Sequence, residues 1–230
     1  MESLETELER ARSLSVSEIA DAIESIGFEC TRCGGCCTAE TTDSGETEPH
    51  TATLFPDEAR ALQTAASAEA GEERGWRDVA RPMPYGLDDE ATGGETFEWA
   101  IRTNACGDCA FYAESDDGTG ACTVHEDRPL VCRSYPFSVA LGGTSQPMGE
   151  AVDREGLVRA HECEGLGRDI SRADAEELAA TLKRRAIREL EEAIGVRDSY
   201  EPTDVDGVVV HDSEGQKRPD GSVLEESKGD

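Results

Sequence analysis

Nine cysteines carry the chemistry in this sequence, and four of them stand in one tight run, Cys30-x2-Cys33-x2-Cys36-Cys37. The others follow as Cys106, Cys109, Cys122, Cys132 and Cys163. Thiols three residues apart can converge on one point from a single short turn. A thiolate-bound metal needs that arrangement, and cysteines scattered through an apolar core do not supply it. Gly34 and Gly35 free the backbone within the turn to approach the sulfurs and donate N–H groups to them. Adjacent side chains diverge, so Cys36 and Cys37 are expected to serve different irons, different sites, or one site and one free thiol. A fourth ligand for the turn must then come from downstream.

Two metals compete for this pattern. An iron–sulfur centre takes three thiolates from such a run and completes its shell elsewhere. Zinc would use Cys30-x2-Cys33 and Cys106-x2-Cys109 as the paired knuckles of a closed four-cysteine site, leaving Cys36, Cys37, Cys122, Cys132 and Cys163 to be explained separately. The ligand pattern therefore favours iron–sulfur over zinc. A disulfide framework suits neither the odd cysteine count nor the adjacent pair. His125 and His161 lie near cysteines, but histidines in surface loops are more often solvated than ligating, so both are left off the ligand set. His50 and His211 sit in acidic stretches and carry no further signal. The sequence contains no nucleophile elbow, phosphate-binding loop or dinucleotide fingerprint.

The stretch Cys122-Thr-Val-His-Glu-Asp-Arg128-Pro129-Leu-Val-Cys132-Arg133-Ser-Tyr135-Pro136-Phe137 is the most distinctive in the chain. Taken with Gly27-Phe28-x-Cys30-x2-Cys33-Gly34-x-Cys36-Cys37, it resembles the YkgJ-type cysteine-cluster proteins, a group described as chelating zinc or iron and often labelled iron–sulfur. The resemblance runs from about Ile19 to Cys163. It implies Cys30, Cys33, Cys36, Cys37, Cys109, Cys122, Cys132 and Cys163 as metal ligands, with Arg128, Pro129 and Arg133 beside them. The two arginines would offset thiolate charge and hydrogen-bond sulfur. The plainer alternative gives them salt bridges to Glu126 or Asp127, and Pro129 a turn. The chain departs from the family pattern at Ala110, where proline commonly follows the cysteine, at Tyr112, where leucine is common, and at His125, where tyrosine is usual; Cys106 is additional. The implied function is an iron–sulfur centre in electron transfer or within an oxidoreductase, serving an unidentified redox or protein partner. A zinc-chelating interaction module, or a thiol-based metal carrier working through Cys36 and Cys37, are the alternatives.

The elements that must position these cysteines read as an α+β fold, with a small irregular cysteine-rich core of loops and short strands packed with a few helices. Residues 1–14 are a lead or first helix, since Leu4, Leu8 and Ala11 share a face. A metal-binding domain spans 15–195, and 196–230 reads as an acidic, largely disordered tail despite the apolar run Val208-Val209-Val210. Ser15 and Glu18 form a capping box for a helix that presents Ile19, Ile23 and Ile26 on one face, stops at Gly27 and delivers the chain to Cys30. Pro56 starts a second helix that Gly71 closes, after an extended stretch at 51–54. The segment 75–94 reads as a long variable loop. Alternating Phe97, Trp99 and Ile101 mark a strand leading to Cys106 and Cys109. Short strands at 109–113, 122–125 and 136–141 surround the cysteines, with turns at Asp116–Gly118 and Gly142–Gly143. A long helix over 171–194 ends at Gly195.

Composition narrows the setting. A chain of 230 residues suits one domain with or without appendages and is long enough to bury a core without crosslinks. The net charge is −29, and only three of its 22 basic residues are lysines. Without a basic stripe, DNA, RNA and anionic membranes are disfavoured as partners. The first residues show no basic region followed by an apolar stretch, and no apolar segment approaches the roughly 20 residues that span a bilayer, so a soluble cytoplasmic protein is expected. The carboxylate excess has the character of halophilic proteins. Its self-repulsion fades as the Debye length shrinks from about 10 Å at 0.1 M salt to about 3 Å at 1 M. The melting temperature is therefore expected to rise across that range, and a flat or falling series of thermal melts would remove the halophilic reading.

Overall fold

The computed structural model describes residues 3–41, 45–141, 151–153 and 156–224, so the turn expected at Gly142–Gly143 lies outside the described residues. The chain opens with helices α1 (Leu4–Ser13) and α2 (Val16–Ile26), followed by strands β1 (Glu40–Thr41), β2 (Thr47–Glu48) and β3 (Thr53–Leu54). Helices α3 (Pro56–Ala70) and α4 (Trp76–Val79) precede β4 (Ala80–Pro82), β5 (Gly94–Thr96), β6 (Trp99–Ile101), β7 (Tyr112–Glu114) and β8 (Gly120–Cys122). A 3-10 turn at His125–Asp127 leads to α5 (Leu130–Ser134), then to β9 (Phe137–Val139), β10 (Ala151–Asp153) and β11 (Val158–His161). Helix α6 (Arg172–Ser199) and the hairpin β12 (Val208–Asp212) and β13 (Gly215–Lys217) complete the described chain. The class is α+β, with several small sheets. No described helix is long and apolar enough to cross a membrane.

The chain divides into two compact units, one of Met1–Cys37, Tyr112–Cys122 and Leu130–Ile194, the other of Thr38–Phe111, Thr123–Pro129 and Gly195–Asp230. In the first unit the antiparallel sheet β10-β11-β9 pairs Val158 with Val139 and Ala160 with Phe137. Its core joins those side chains to Leu8 and Ala11 of α1, Ile19, Ala20 and Ile23 of α2, and Ala175, Ala179, Leu182, Ala186 and Leu190 of α6. The alanines let the helix backbone sit close to its neighbours, and burial of the larger side chains supplies about 1.5–3 kcal/mol each. The start of α2 follows the expected chemistry, with the Ser15 hydroxyl accepting the Glu18 N–H at 3.3 Å. One charged residue interrupts the apolar face of α6. Arg185 is buried, donating from Nε to Glu189 at 2.7 Å and from Nη1 to the Ser134 hydroxyl at 3.2 Å. Burial pushes the Glu189 carboxyl up and Arg185 opposes the shift.

In the second unit β6 lies between β3 and β4, so Trp99, Ala100 and Ile101 are all buried. The alternation read from the sequence fails here because both faces of a middle strand are covered, while Phe97, outside the strand, stays exposed. The segment expected to be a variable loop supplies α4 and β4. Nor does a disordered tail describe residues 208–217, since β12 pairs with β13 and runs parallel to β5, matching Val208 with Gly94 and Val210 with Thr96. The polar residues of that segment form ion pairs within the structure. Lys217 Nζ lies 2.8 Å from Asp212 and 2.6 Å from Glu214, and Arg60 grips the Glu214 carboxylate at 2.5 and 3.1 Å. The Arg60 hydrogen bond, with help from Lys217, holds the Glu214 carboxyl down at about 2 against a partial burial cost. Gly195 does not end α6 as expected. The helix continues to Ser199, and a Cβ at Gly195 would lie 2.5 Å from the Ser213 Cβ, so close packing accounts for the glycine.

Candidate metal centre

The cysteine turn begins where α2 stops. Gly27 leaves the helix at φ +78°, and a Cβ there would meet the Arg168 carbonyl oxygen at 2.5 Å. From this point residues 27–29 run alongside 165–167. The Glu29 N–H donates to the Gly165 carbonyl at 3.0 Å, the Gly167 N–H donates to the Gly27 carbonyl at 3.0 Å, and Phe28 bridges to Leu166. This long-range pairing carries Cys163 to the mouth of the Cys30 turn. Burial pushes the Cys163 thiol up, the Gly165 N–H at 3.4 Å pulls it back, and the thiols of Cys33, Cys36 and Cys30 push it up further. The pairing of 27–29 with 165–167 therefore brings Cys163 near the turn within the same unit.

A second contact holds the other side of the turn. The Gly120 N–H donates to the Arg32 carbonyl at 2.8 Å, bringing the β7–β8 hairpin against it. Tyr112 occupies the space next to two glycines, since a Cβ on Gly34 would lie 2.3 Å from its hydroxyl and one on Gly120 would lie 2.8 Å from its ring. The Tyr112 hydroxyl donates to Glu114 at 2.8 Å. That bond, then burial, then the charges of Glu114, Cys37 and Cys33 push its pKa up to about 12. Tyr135 donates to the Glu162 carbonyl, and burial followed by Cys163, Cys36 and Cys33 pushes its hydroxyl above the ordinary range. The two tyrosines therefore flank the thiols. Sequence reading missed both roles, although each tyrosine lies within the stretches that carry the cysteines.

The expected ligands belong to both units. Cys30, Cys33 and Cys36 are exposed and Cys37 is half-buried, with its sulfur 3.7 Å from that of Cys36. The first unit also holds Cys122 at the end of β8 and Cys132 in α5, both half-buried. Cys109 is buried in the second unit, beside the exposed Cys106 in a turn that the Asn104 side chain caps at 2.8 Å. Arg128 belongs to the second unit and donates from Nε to the His125 carbonyl at 3.0 Å; no salt bridge to Glu126 or Asp127 forms among the described residues. Arg133 follows Cys132 in α5 and is half-buried. His125 is exposed beside Glu126, as expected of a solvated histidine. His161 is not a surface residue. It is buried on β11, with Nε2 2.9 Å from the Ser138 hydroxyl.

Among the described residues no three or more His, Cys, Asp or Glu side chains are drawn together tightly enough to hold a metal ion. The donor set nonetheless suits a thiolate-bound metal. Cys30, Cys33 and Cys36 stand exposed on one turn, where their rotamers can change without disturbing the core, and Cys163 follows β11 on the way to the facing segment. The Gly165 N–H aimed at the Cys163 sulfur is the kind of donor that stabilises a thiolate. Gly165→Ala is expected to test the platform without touching a thiol. Its Cβ would lie 2.3 Å from the Glu29 carbonyl oxygen, so urea unfolding should show a loss of about 1–3 kcal/mol. Metal retention should fall with it. Unchanged stability would mean that the 27–29 and 165–167 segments do not hold each other.

Comparison with curated proteins and with solved structures gives no match. A family model described as "Putative zinc- or iron-chelating domain" matches residues 29–164, more than half of the chain. All nine cysteines fall inside that span, which stops just short of the 165–167 segment. The chain belongs to the CxxCxxCC family.

Proposed function

We propose that the first unit holds an iron–sulfur centre on Cys30, Cys33, Cys36 and Cys163 and serves electron transfer or an oxidoreductase in a reducing cytoplasmic compartment. The observation that supports this reading is the backbone pairing of 27–29 with 165–167, which brings Cys163 to the Cys30, Cys33 and Cys36 turn within one unit. When bound, such a centre supplies one-electron redox chemistry. The residues of the chain do the rest. The four thiolates bind, the Gly165 N–H stabilises Cys163, and Tyr112 and Tyr135 limit water at two sides while their phenolic protons stay in place at neutral pH. Cys37, Cys122 and Cys132 remain in the same unit as further soft donors, which supports iron–sulfur chemistry over a single closed zinc site. Arg133, beside Cys132, would offset thiolate charge.

Anaerobic isolation tests the reading. Brown protein with broad visible absorption, iron and acid-labile sulfide is the expected result, with bleaching on reduction or in air. Zinc has a filled d shell, so colourless protein holding stoichiometric zinc after expression with ample iron and sulfide would overturn it in favour of a zinc-chelating interaction module. Rapid exchange of the metal with free chelator would favour the carrier reading.

A further inference from the structure

Among the described residues, Arg12, Arg60, Arg74, Arg77, Arg168, Arg172, Arg185 and Arg197 have a carboxylate within 4.0 Å. Arg81 and Arg102 of the second unit do not, among the described residues. The β-sheet register brings these two together. Arg81 on β4 stands opposite Ala100 on β6, and the chain stays in register one step beyond β6, where the Arg102 N–H donates to the Val79 carbonyl at 2.9 Å. Arg102 lies two residues past Ala100 and so shares a face with Arg81 as its diagonal neighbour, within reach for long side chains. The two guanidiniums interact repulsively.

Arg81 is also poorly satisfied. It is half-buried, one Nη2 hydrogen bond goes to the His50 carbonyl at 2.8 Å, and its Nε is buried with no partner. Burial and then Arg102 lower its pKa, while the Tyr85 hydroxyl, on a side chain 71% exposed, favours its charge. His50 brings no compensating charge. Burial, then Arg81, push its pKa down to about 4, and its Nε2 is likewise buried without a partner. Asp108 is the one carboxylate acting on His50, and its Oδ1 accepts the Ala39 N–H at 2.9 Å. Two cations placed as diagonal neighbours on one sheet face, with no ion pair to either among the described residues, match a ligand that carries two negative charges on oxygens spaced for bidentate contact.

We propose that this face of the β3-β6-β4 sheet binds a small dianionic oxyanion of the phosphate class, held by Arg81 and Arg102 with the Tyr85 hydroxyl as a third donor. Calorimetric titration of inorganic phosphate into the full chain, at ionic strength fixed with potassium chloride, tests it. Saturable one-to-one binding is expected, with acetate, a monoanion, at least tenfold weaker. Arg102→Gln should weaken phosphate at least tenfold, and Arg81→Gln should do the same. Arg74→Gln, whose partner is Glu72, should bind like the parent. Arg102 is exposed, so its variant keeps the test open even if Arg81→Gln fails to fold. Glycerol phosphate displacing inorganic phosphate would assign the site to phosphate esters, and its failure to do so would assign it to the free ion. Absence of saturable phosphate binding, acetate binding as tightly as phosphate, or an Arg102→Gln chain that binds like the parent would overturn the proposal.

Discussion

Serine at Cys163 is expected to abolish metal loading as completely as serine at Cys30, Cys33 or Cys36, although Cys163 lies far from that run in sequence. The reason is the pairing of residues 27–29 with 165–167, which carries Cys163 to the turn and exposes its thiol to the influence of the other three. A serine hydroxyl does not ionise near neutral pH and is a hard donor, so each substitution removes a soft thiolate outright. Four-ligand thiolate and imidazole sites hold zinc with about 10–16 kcal/mol, so one ligand of four is worth on the order of 3 kcal/mol, or more than a hundredfold in affinity. Iron, zinc and sulfide content per chain, measured on each purified variant, decides the matter. Cys106→Ser should load like the parent because its exposed thiol belongs to the second unit. Full loading of Cys163→Ser, or a loss with Cys106→Ser equal to that with Cys33→Ser, would overturn the ligand set.

The largest effect on stability is expected in the second unit, at Asp212. Its carboxylate is 1% exposed, accepts the Trp99 Nε1–H at 2.8 Å and stands 2.8 Å from Lys217 Nζ, itself 4% exposed at the side chain. Asp212→Asn leaves a buried ammonium short of a charge partner, a change that typically costs about 3–5 kcal/mol. Lys217 keeps Glu214, but that carboxylate is 42% exposed and also grips Arg60. Urea unfolding at fixed salt, followed by tryptophan fluorescence, reads this region directly. The two tryptophans, Trp76 and Trp99, pack edge to face at 5.0 Å in this unit, and Lys217 lies 5.7 Å over Trp76. The double variant Asp212→Asn/Lys217→Met should recover part of the loss, because it removes both charges together. A single-variant cost below about 1 kcal/mol would show that Glu214 alone satisfies the lysine.

What the chain states about itself is local. Ser15 capping α2, Pro56 opening α3, Gly71 closing it and the apolar face of α6 each act within a few residues, so residue type and spacing are enough to place them. The Cys30 run is local in the same sense, because sulfurs three residues apart meet through one turn whatever surrounds it. Composition misled where charge was paired. The polar segment 208–217 looked too acidic to order, yet Asp212 and Lys217 neutralise each other beneath Trp99 and β12 gains a parallel neighbour in β5. Gly195 and Phe97 misled for a related reason, since a glycine or an alternating aromatic carries no record of what the rest of the chain will set against it. Sequence by itself therefore determined that this is a cysteine-cluster chain and where its main helices lie, through contacts of short range. Tertiary structure alone decided that residues 165–167 pair beside the Cys30 turn, that Tyr112 packs against Gly34 and Gly120, and that Arg81 and Arg102 become diagonal neighbours on one sheet face. Each of those meetings depends on backbone pairing between segments distant in sequence, which no local pattern of residues encodes.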